Sequence, residues 1–273
     1  MPDSAFERLD DIIEAVRVQF GPVAVAKFTK PEALRLSRLI AKVLKDQYRY
    51  EVKERFDQVA DALTPVPGTD HYLMDCDTGT IIYLSVAEAL GLSAEVGEIP
   101  TGGEWLHYYV VWHLHDGDLV RWDTNDAYDR TADARLAERI VGRQGMIAIF
   151  LGYRAEAWVR HGDAARGVAD YRTAMYLEPA SAAIANNFAW TLATRRDAQG
   201  MTLPSEALAL AQFAVAKQRT PNRLDTLACT LALRGNWAEA LRIEQEAMKA
   251  EPRDAIQCHL TMFEKKVSCL GEE

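Results

Sequence analysis

The spacing of apolar residues divides the chain into helical stretches at both ends and a strand-rich stretch between them. In FERLDDIIEAVRVQF, Phe6, Leu9, Ile12, Ile13, Val16 and Phe20 share one helical face, and Gly21-Pro22 end the pattern. PEALRLSRLIAKVLKDQYRY resumes it behind Pro31, whose fixed φ and missing N–H suit a first turn. Both helices are amphipathic and need a partner surface, expected to be the helix and hairpin that follow. LTPVPGTD reads as a loop by its two prolines and glycine. IIYLSVAEAL then carries Ile81, Ile82, Leu84, Val86, Ala87 and Leu90 at helical spacing with Gly91 at its end, which puts Cys76 at or just before a helix N-terminus. Strand formers follow: Tyr109 to Trp112, the tight-turn dipeptide Asp116-Gly117, and Leu119, Val120 and Trp122 predict a β-hairpin.

From about residue 148 the chain becomes alanine-rich and repeats itself. Leu151, Ala155, Trp158, Gly162, Gly167, Tyr171, Ala174 and Pro179 match Leu224, Ala228, Leu231, Gly235, Ala240, Glu244, Ala247 and Pro252, all at an offset of 73. Each window reads as a helix, a turn at Gly162-Asp163 or Gly235-Asn236, a second helix with small residues where it crosses the first, and a proline stop. A middle copy has Ala189 and Leu192 on its first helix and Ala207, Ala211 and Ala214 on its second, with TRRDAQGMTLPSE expanding the turn. Ala155 to Ala189 is 34 residues, the tetratricopeptide period, so residues 148 to 252 resemble three tetratricopeptide repeats. AIQCHLTMFEKKV then reads as a closing helix over the last apolar face. The resemblance implies a concave groove for a peptide or a partner's helix, with Arg154, Asn186 and Asn187 as groove-facing candidates. The alternative is an array that packs as a brace.

Three residues in the strand-rich stretch carry candidate chemistry. At a helix N-terminus, free backbone N–H groups and the dipole favour the thiolate of Cys76 and can later hold an oxyanion. His107 opens one hairpin strand and Asp123 closes the other. A thiol, an imidazole and a carboxylate that orients it make a nucleophile, a base and an orienter. Counting back from Asp116-Gly117 puts His107 opposite Asp126, so pairing with Asp123 requires a bulge or an offset turn.

Cysteine at a helix start, histidine 31 residues later and aspartate 16 beyond that, on helix, strand and strand, resemble the transglutaminase-like superfamily, relatives of papain-type cysteine proteases. The resemblance covers about half the chain and implies thiol-ester chemistry: Cys76 attacks a carbonyl, and water or an amine resolves the acyl-enzyme. It does not select the carbonyl, because the superfamily holds proteases, cross-linking enzymes, deamidases and inactive members. Two features depart from its pattern. Asp75 and Asp77 flank the cysteine where a glycine often precedes it, and two carboxylates raise a thiol pKa unless one caps the helix and both point to solvent. The side-chain amide that papain-like relatives place before the nucleophile is replaced by Asp70, His71 and Tyr72, which leaves Tyr72, Trp105 or a backbone N–H as oxyanion donor.

The remaining candidates read more plainly. Cys229, Cys258 and Cys269 are expected to be small buried residues or ordinary helix-surface residues. His113 and His115 fall near the turn and should be solvated, and His71 stays open because it lies close to Cys76. His107, His113 and His115 lack partners at zinc-ligand spacing, and DTNDAYD lacks the glycine and glutamate of an EF-hand, so no metal and no cofactor is expected.

A net charge of −9 and a pI near 5.3 oppose nucleic acid as main partner. No apolar run is long enough to span a bilayer, and no signal-peptide pattern opens the chain, although a trimmed one would leave no trace. Four scattered cysteines suggest a reducing compartment and a cytoplasmic protein. The expected class is therefore α+β: a transglutaminase-like (papain-like) domain with N-terminal helices and an antiparallel sheet over residues 1–145, and an all-α tetratricopeptide solenoid with a closing helix over 146–273. The expected function is a cysteine peptidase or acyl-transfer enzyme whose repeats recruit a protein or peptide. The alternative is a non-catalytic interaction module on the same fold.

Overall fold

The computed structural model describes residues 3–53, 62–100, 106–133, 139–201 and 204–271. The chain is α+β and mostly helical, and it divides into two compact units, Met1–Arg143 and Gln144–Glu273.

In the first unit, α1 (Asp3–Phe20) and α2 (Lys30–Tyr48) precede a short strand β1 (Tyr50–Val52), which pairs in parallel with β2 (Tyr72–Met74). That parallel ladder was not visible in the apolar pattern, because each strand is three residues long. α3 (Cys76–Ala89) leads into an antiparallel sheet of β3 (Ala94–Pro100), β4 (Leu106–His113), β5 (Leu119–Asp123), β6 (Tyr128–Asp129) and β7 (Arg139–Val141), ordered β6-β5-β4-β3-β7. Thr29 and Glu32 close a reciprocal capping box at the start of α2, with Thr29 N–H donating to Glu32 Oε2 at 2.8 Å.

The apolar face of α1 is the expected one. Ile12 and Val16 are fully buried, and Leu9 and Ile13 pack beside them; the side chain of Phe6 lies outside the described residues. This face, with Leu36, Ile40 and Leu44 of α2 and Ile82, Tyr83 and Val86 of α3, meets Val110, Trp112, Val120 and Trp122 of the hairpin. The polar atoms brought into this core are satisfied in a chain. Trp122 Nε1 donates to Tyr83 Oη at 3.2 Å, Tyr83 Oη–H to Ser37 O at 3.1 Å, and Trp112 Nε1 to Ser37 Oγ at 2.9 Å.

The hairpin register decides the site. β4 and β5 pair Val110 with Trp122 and His113 with Leu119, and Leu114 N–H donates to Asp118 O. The loop is thus three residues, His115-Asp116-Gly117, with Gly117 at φ 88°, rather than a two-residue turn on Asp116-Gly117. The extra loop residue shifts the register by one, and a one-residue shift moves every side chain of a strand to its other face. Asp123 therefore shares a face with His107 and Tyr109, opposite the core face of Val110 and Trp112, and no bulge is needed.

The second unit consists of α4 (Arg143–Arg160), α5 (Ala164–Leu177), α6 (Ala182–Thr194), α7 (Pro204–Lys217), α8 (Pro221–Leu233), α9 (Trp237–Ala250) and α10 (Asp254–Glu264). Alanines line its interior: Ala155, Ala174, Ala189, Ala211, Ala228, Ala240 and Ala247 are fully buried. Arg154 is held in a two-pronged ion pair by Asp170, and Asn187 donates to Glu156 and accepts from Asn186. These three candidates for a groove are engaged with their own unit.

Cys229 and Cys269 form a disulfide, which corrects the expectation that both are lone residues. Their 40-residue separation gives no motif spacing; the helix pair α8–α9 and α10 bring them together. The scattered cysteines consequently carry no argument for a reducing compartment. Among the described residues, no helix is long and apolar enough to cross a membrane.

Candidate active site

Cys76 opens α3, and its neighbours divide the two tasks that sequence left open. Asp75 is the N-cap: its Oδ1 accepts from Thr78 N–H at 3.0 Å and from Thr78 Oγ1 at 2.8 Å, while Asp75 N–H donates to Thr78 Oγ1. Asp77 instead faces the nucleophile, and Cys76 Sγ donates to its Oδ1 at 3.1 Å. Gly79, one turn on, presses against the end of β5; a Cβ there would lie 3.0 Å from Thr124 Oγ1.

The sulfur also accepts a hydrogen bond from the backbone N–H of Tyr108. The ladder explains the direction of that donor. Leu114 gives its N–H to β5, so by alternation Trp112, Val110 and Tyr108 point the same way. β5 ends at Asp123, where the partner of Tyr108 would otherwise begin at Thr124. The Tyr108 N–H directed there is the one that lowers the Cys76 thiol pKa. The donated N–H belongs to the peptide that joins His107 to Tyr108, which sets Cys76 beside the histidine's backbone.

His107 and Asp123 meet directly, with His107 Nε2 2.6 Å from Asp123 Oδ2. Arg130 Nη1 donates to the same oxygen at 2.7 Å, and Asp123 Oδ1 accepts from the backbone N–H groups of Asn125 and Asp126 at 3.0 and 3.3 Å. Burial pushes the Asp123 carboxyl up, but the His107 hydrogen bond and charge, the Asp126 N–H and Arg130 outweigh it, and the net shift is downward. Arg130 is itself placed by rings, its guanidinium 5.2 Å from the Tyr109 ring centre and 5.8 Å from that of Tyr128. The Tyr109 ring crosses Gly97 on β3, where a Cβ would come within 2.3 Å of it.

Taken together, the fold joins His107 to Asp123 and brings Cys76 to the adjacent peptide. Among the described residues the thiol's own hydrogen bond goes to Asp77, not to the His107 ring. Burial, followed by the charge of Asp77, raises the Cys76 thiol pKa, and the Tyr108 N–H opposes this. His107 Nδ1, the ring nitrogen not used by Asp123, makes no hydrogen bond among the described residues. Thr124 Oγ1 and Asn125 Oδ1, adjacent to Asp123 in the chain, are buried without hydrogen-bond partners.

The other candidates stand apart. His71 is half-buried and faces Glu51 and Asp70, and Asp70 pairs with Arg49. Tyr72 is buried and stacked on Tyr50 at 5.1 Å, which makes it a core residue; Trp105 lies outside the described residues. His113 pairs with Glu95 at 2.7 Å and His115 Nδ1 lies 3.1 Å from Phe28 O, so neither ring is simply solvated. In DTNDAYD, Asp123 serves the histidine and Asp129 pairs with Lys30. Arg130, which directly follows that run, was missed; a basic residue seven positions after the orienting aspartate was the available signal.

The chain matches no protein-family model, and a search of curated proteins gives no match.

Proposed function

We propose that this protein is a transglutaminase-like cysteine hydrolase or acyltransferase acting on a protein or peptide carbonyl, with tetratricopeptide-type repeats as its recruiting half. The observation that carries this reading is the His107–Asp123 pair, anchored by Arg130 and two backbone N–H groups, beside a helix-opening cysteine. In the proposed reaction Asp123 fixes the ring through Nε2, and Nδ1 takes the thiol proton. The sulfur attacks the carbonyl carbon, and the imidazolium returns the proton to the leaving group. Water or an amine, deprotonated by the same ring, then releases the acyl group. Buried polar atoms without partners at Thr124 and Asn125 fit a site that a substrate completes.

A second reading has its own observation. The thiol donates to Asp77 and its pKa is raised, as suits a non-catalytic module in which Cys76 is a protonated, inert side chain. Cys258, an exposed free thiol, provides an internal reference. The test is alkylation by iodoacetamide, resolved by peptide mass mapping across pH. The enzyme reading predicts that Cys76 reacts faster than Cys258 below pH 8 and that His107→Ala removes the advantage. Slower reaction of Cys76 at every pH, unchanged by His107→Ala, would establish the inert module instead.

A further inference from the structure

The second unit holds a buried polar cluster that the thiol chemistry does not use. Asp225 on α8, Glu244 on α9 and His259 on α10 each offer one ligand atom, and these atoms lie within 4.8 Å of one another. His259 Nδ1 is 2.7 Å from Asp225 Oδ1 and 3.5 Å from Glu244 Oε1. Glu244 is 0% exposed, and neither of its carboxylate oxygens has a hydrogen-bond partner. His259 is buried too, between Trp190 and Phe263, and Asp225 is the member nearest to solvent.

Such an arrangement is costly in a protein core. A buried carboxylate whose nearest donor, His259 Nδ1, stands at 3.5 Å recovers little of its lost hydration, and a second carboxylate beside it adds repulsion. The internal repeat shows that the position does not require an acid. Glu244 stands where the matching window buries Tyr171, a large aromatic that stacks on Phe188 at 5.2 Å. Where one window buries an aromatic ring the other buries an acid, and that acid faces a histidine and an aspartate supplied by the two flanking helices.

We propose that Asp225, Glu244 and His259 form a binding site for one divalent cation of the zinc class. Two carboxylate charges are neutralised by one divalent ion, and Glu244 gains the partner it lacks. One imidazole with two carboxylates is a borderline donor set that suits zinc better than calcium or magnesium. Three donor atoms mutually within 4.8 Å can converge on an ion at about 2.0–2.2 Å with small side-chain shifts. The bound ion would clamp α8, α9 and α10, the helices that end the second unit. The neighbouring sulfurs of Cys229 and Cys269 are tied up in the disulfide and are not donors in this state.

The test is Zn²⁺ titration of the full chain against a chromogenic chelator, without reductant, in a Cys76→Ala/Cys258→Ser background that removes both free thiols. One equivalent should bind with competitive affinity. Glu244→Gln, which keeps the side chain's shape, and His259→Asn should each weaken binding at least about tenfold, since even outer-shell changes cost that much, while circular dichroism stays unchanged. Heating should show a higher melting temperature with Zn²⁺ for the parent and none for Glu244→Gln. The proposal is overturned if the folded parent takes up no zinc, or if both variants bind as tightly as the parent. Uptake that appears only after reduction of the disulfide would assign the ion to thiolates and overturn it as well.

Discussion

Asp123→Asn replaces one oxygen of the carboxylate on which the candidate site is built. The remaining oxygen can still serve the backbone N–H groups of Asn125 and Asp126, but the new amide N–H₂ then faces Arg130 Nη1, a donor left without its acceptor, and it forces His107 into the tautomer in which Nε2 accepts. Asp123 is 2% and Arg130 11% exposed at the side chain, so solvent screens the pair little. Breaking a buried pair by removing one partner costs about 3–5 kcal/mol. Arg130 keeps its contacts with the Tyr109 and Tyr128 rings, which favours the lower end, about 3 kcal/mol. The assay is urea titration of the full chain read by hydrogen exchange in peptides spanning β4 and β5, so that the second unit does not enter the result.

The same variant tests the electrostatics. The folded carboxyl pKa is depressed, so its contribution is fully present above the unfolded value of about 3.9 and is lost as pH falls through the folded value. The gap between parent and variant should therefore stay constant from pH 7 to about 5 and close progressively below about 4. A gap under about 1 kcal/mol at pH 7, the size of an exposed pair, would refute the buried-anchor argument. So would a gap that persists unchanged in acid.

Three further outcomes are expected. Asp77→Asn removes the charge beside the sulfur, so the pH midpoint for Cys76 alkylation should fall; an unchanged or higher midpoint would contradict the contact between Sγ and Asp77 Oδ1. Gly97→Ala should displace the Tyr109 ring, destabilise the first unit by about 1–3 kcal/mol in urea denaturation, and slow Cys76 alkylation through Arg130 and Asp123. Cys229→Ser should lower the stability of the second unit by about 4 kcal/mol from the 40-residue loop it closes, measured by denaturation with and without reductant.

The helices were legible because their apolar faces are long and regular. α1 buries Ile12 and Val16, and α3 starts at Cys76 and stops before Gly91, as their spacing required. The hairpin was legible as an element but not in register, since Asp116-Gly117 fits both a two-residue turn and the last two positions of a three-residue loop. That one-residue ambiguity decides whether Asp123 shares a face with His107. Arg130 and the Tyr108 N–H depend on where β5 ends, which no local pattern encodes. In the second unit the offset of 73 already placed Glu244 against Tyr171, a mismatch of acid and aromatic at one buried position. The disulfide gave no comparable signal, because its cysteines come together only through packing of α8 against the segment that follows α10.

The proposed activity rests on an acyl group being carried by Cys76, and acylation can be measured without knowing the substrate. The full chain would be mixed rapidly with a p-nitrophenyl ester, nitrophenol release followed by absorbance, and the quenched protein mapped by mass spectrometry. Acyl transfer through Cys76 requires a stoichiometric burst, a hydroxylamine-sensitive acyl group on Cys76, and no burst in Cys76→Ser or His107→Ala. Acyl label confined to Cys258 or to lysines, or a burst that survives His107→Ala, would contradict it.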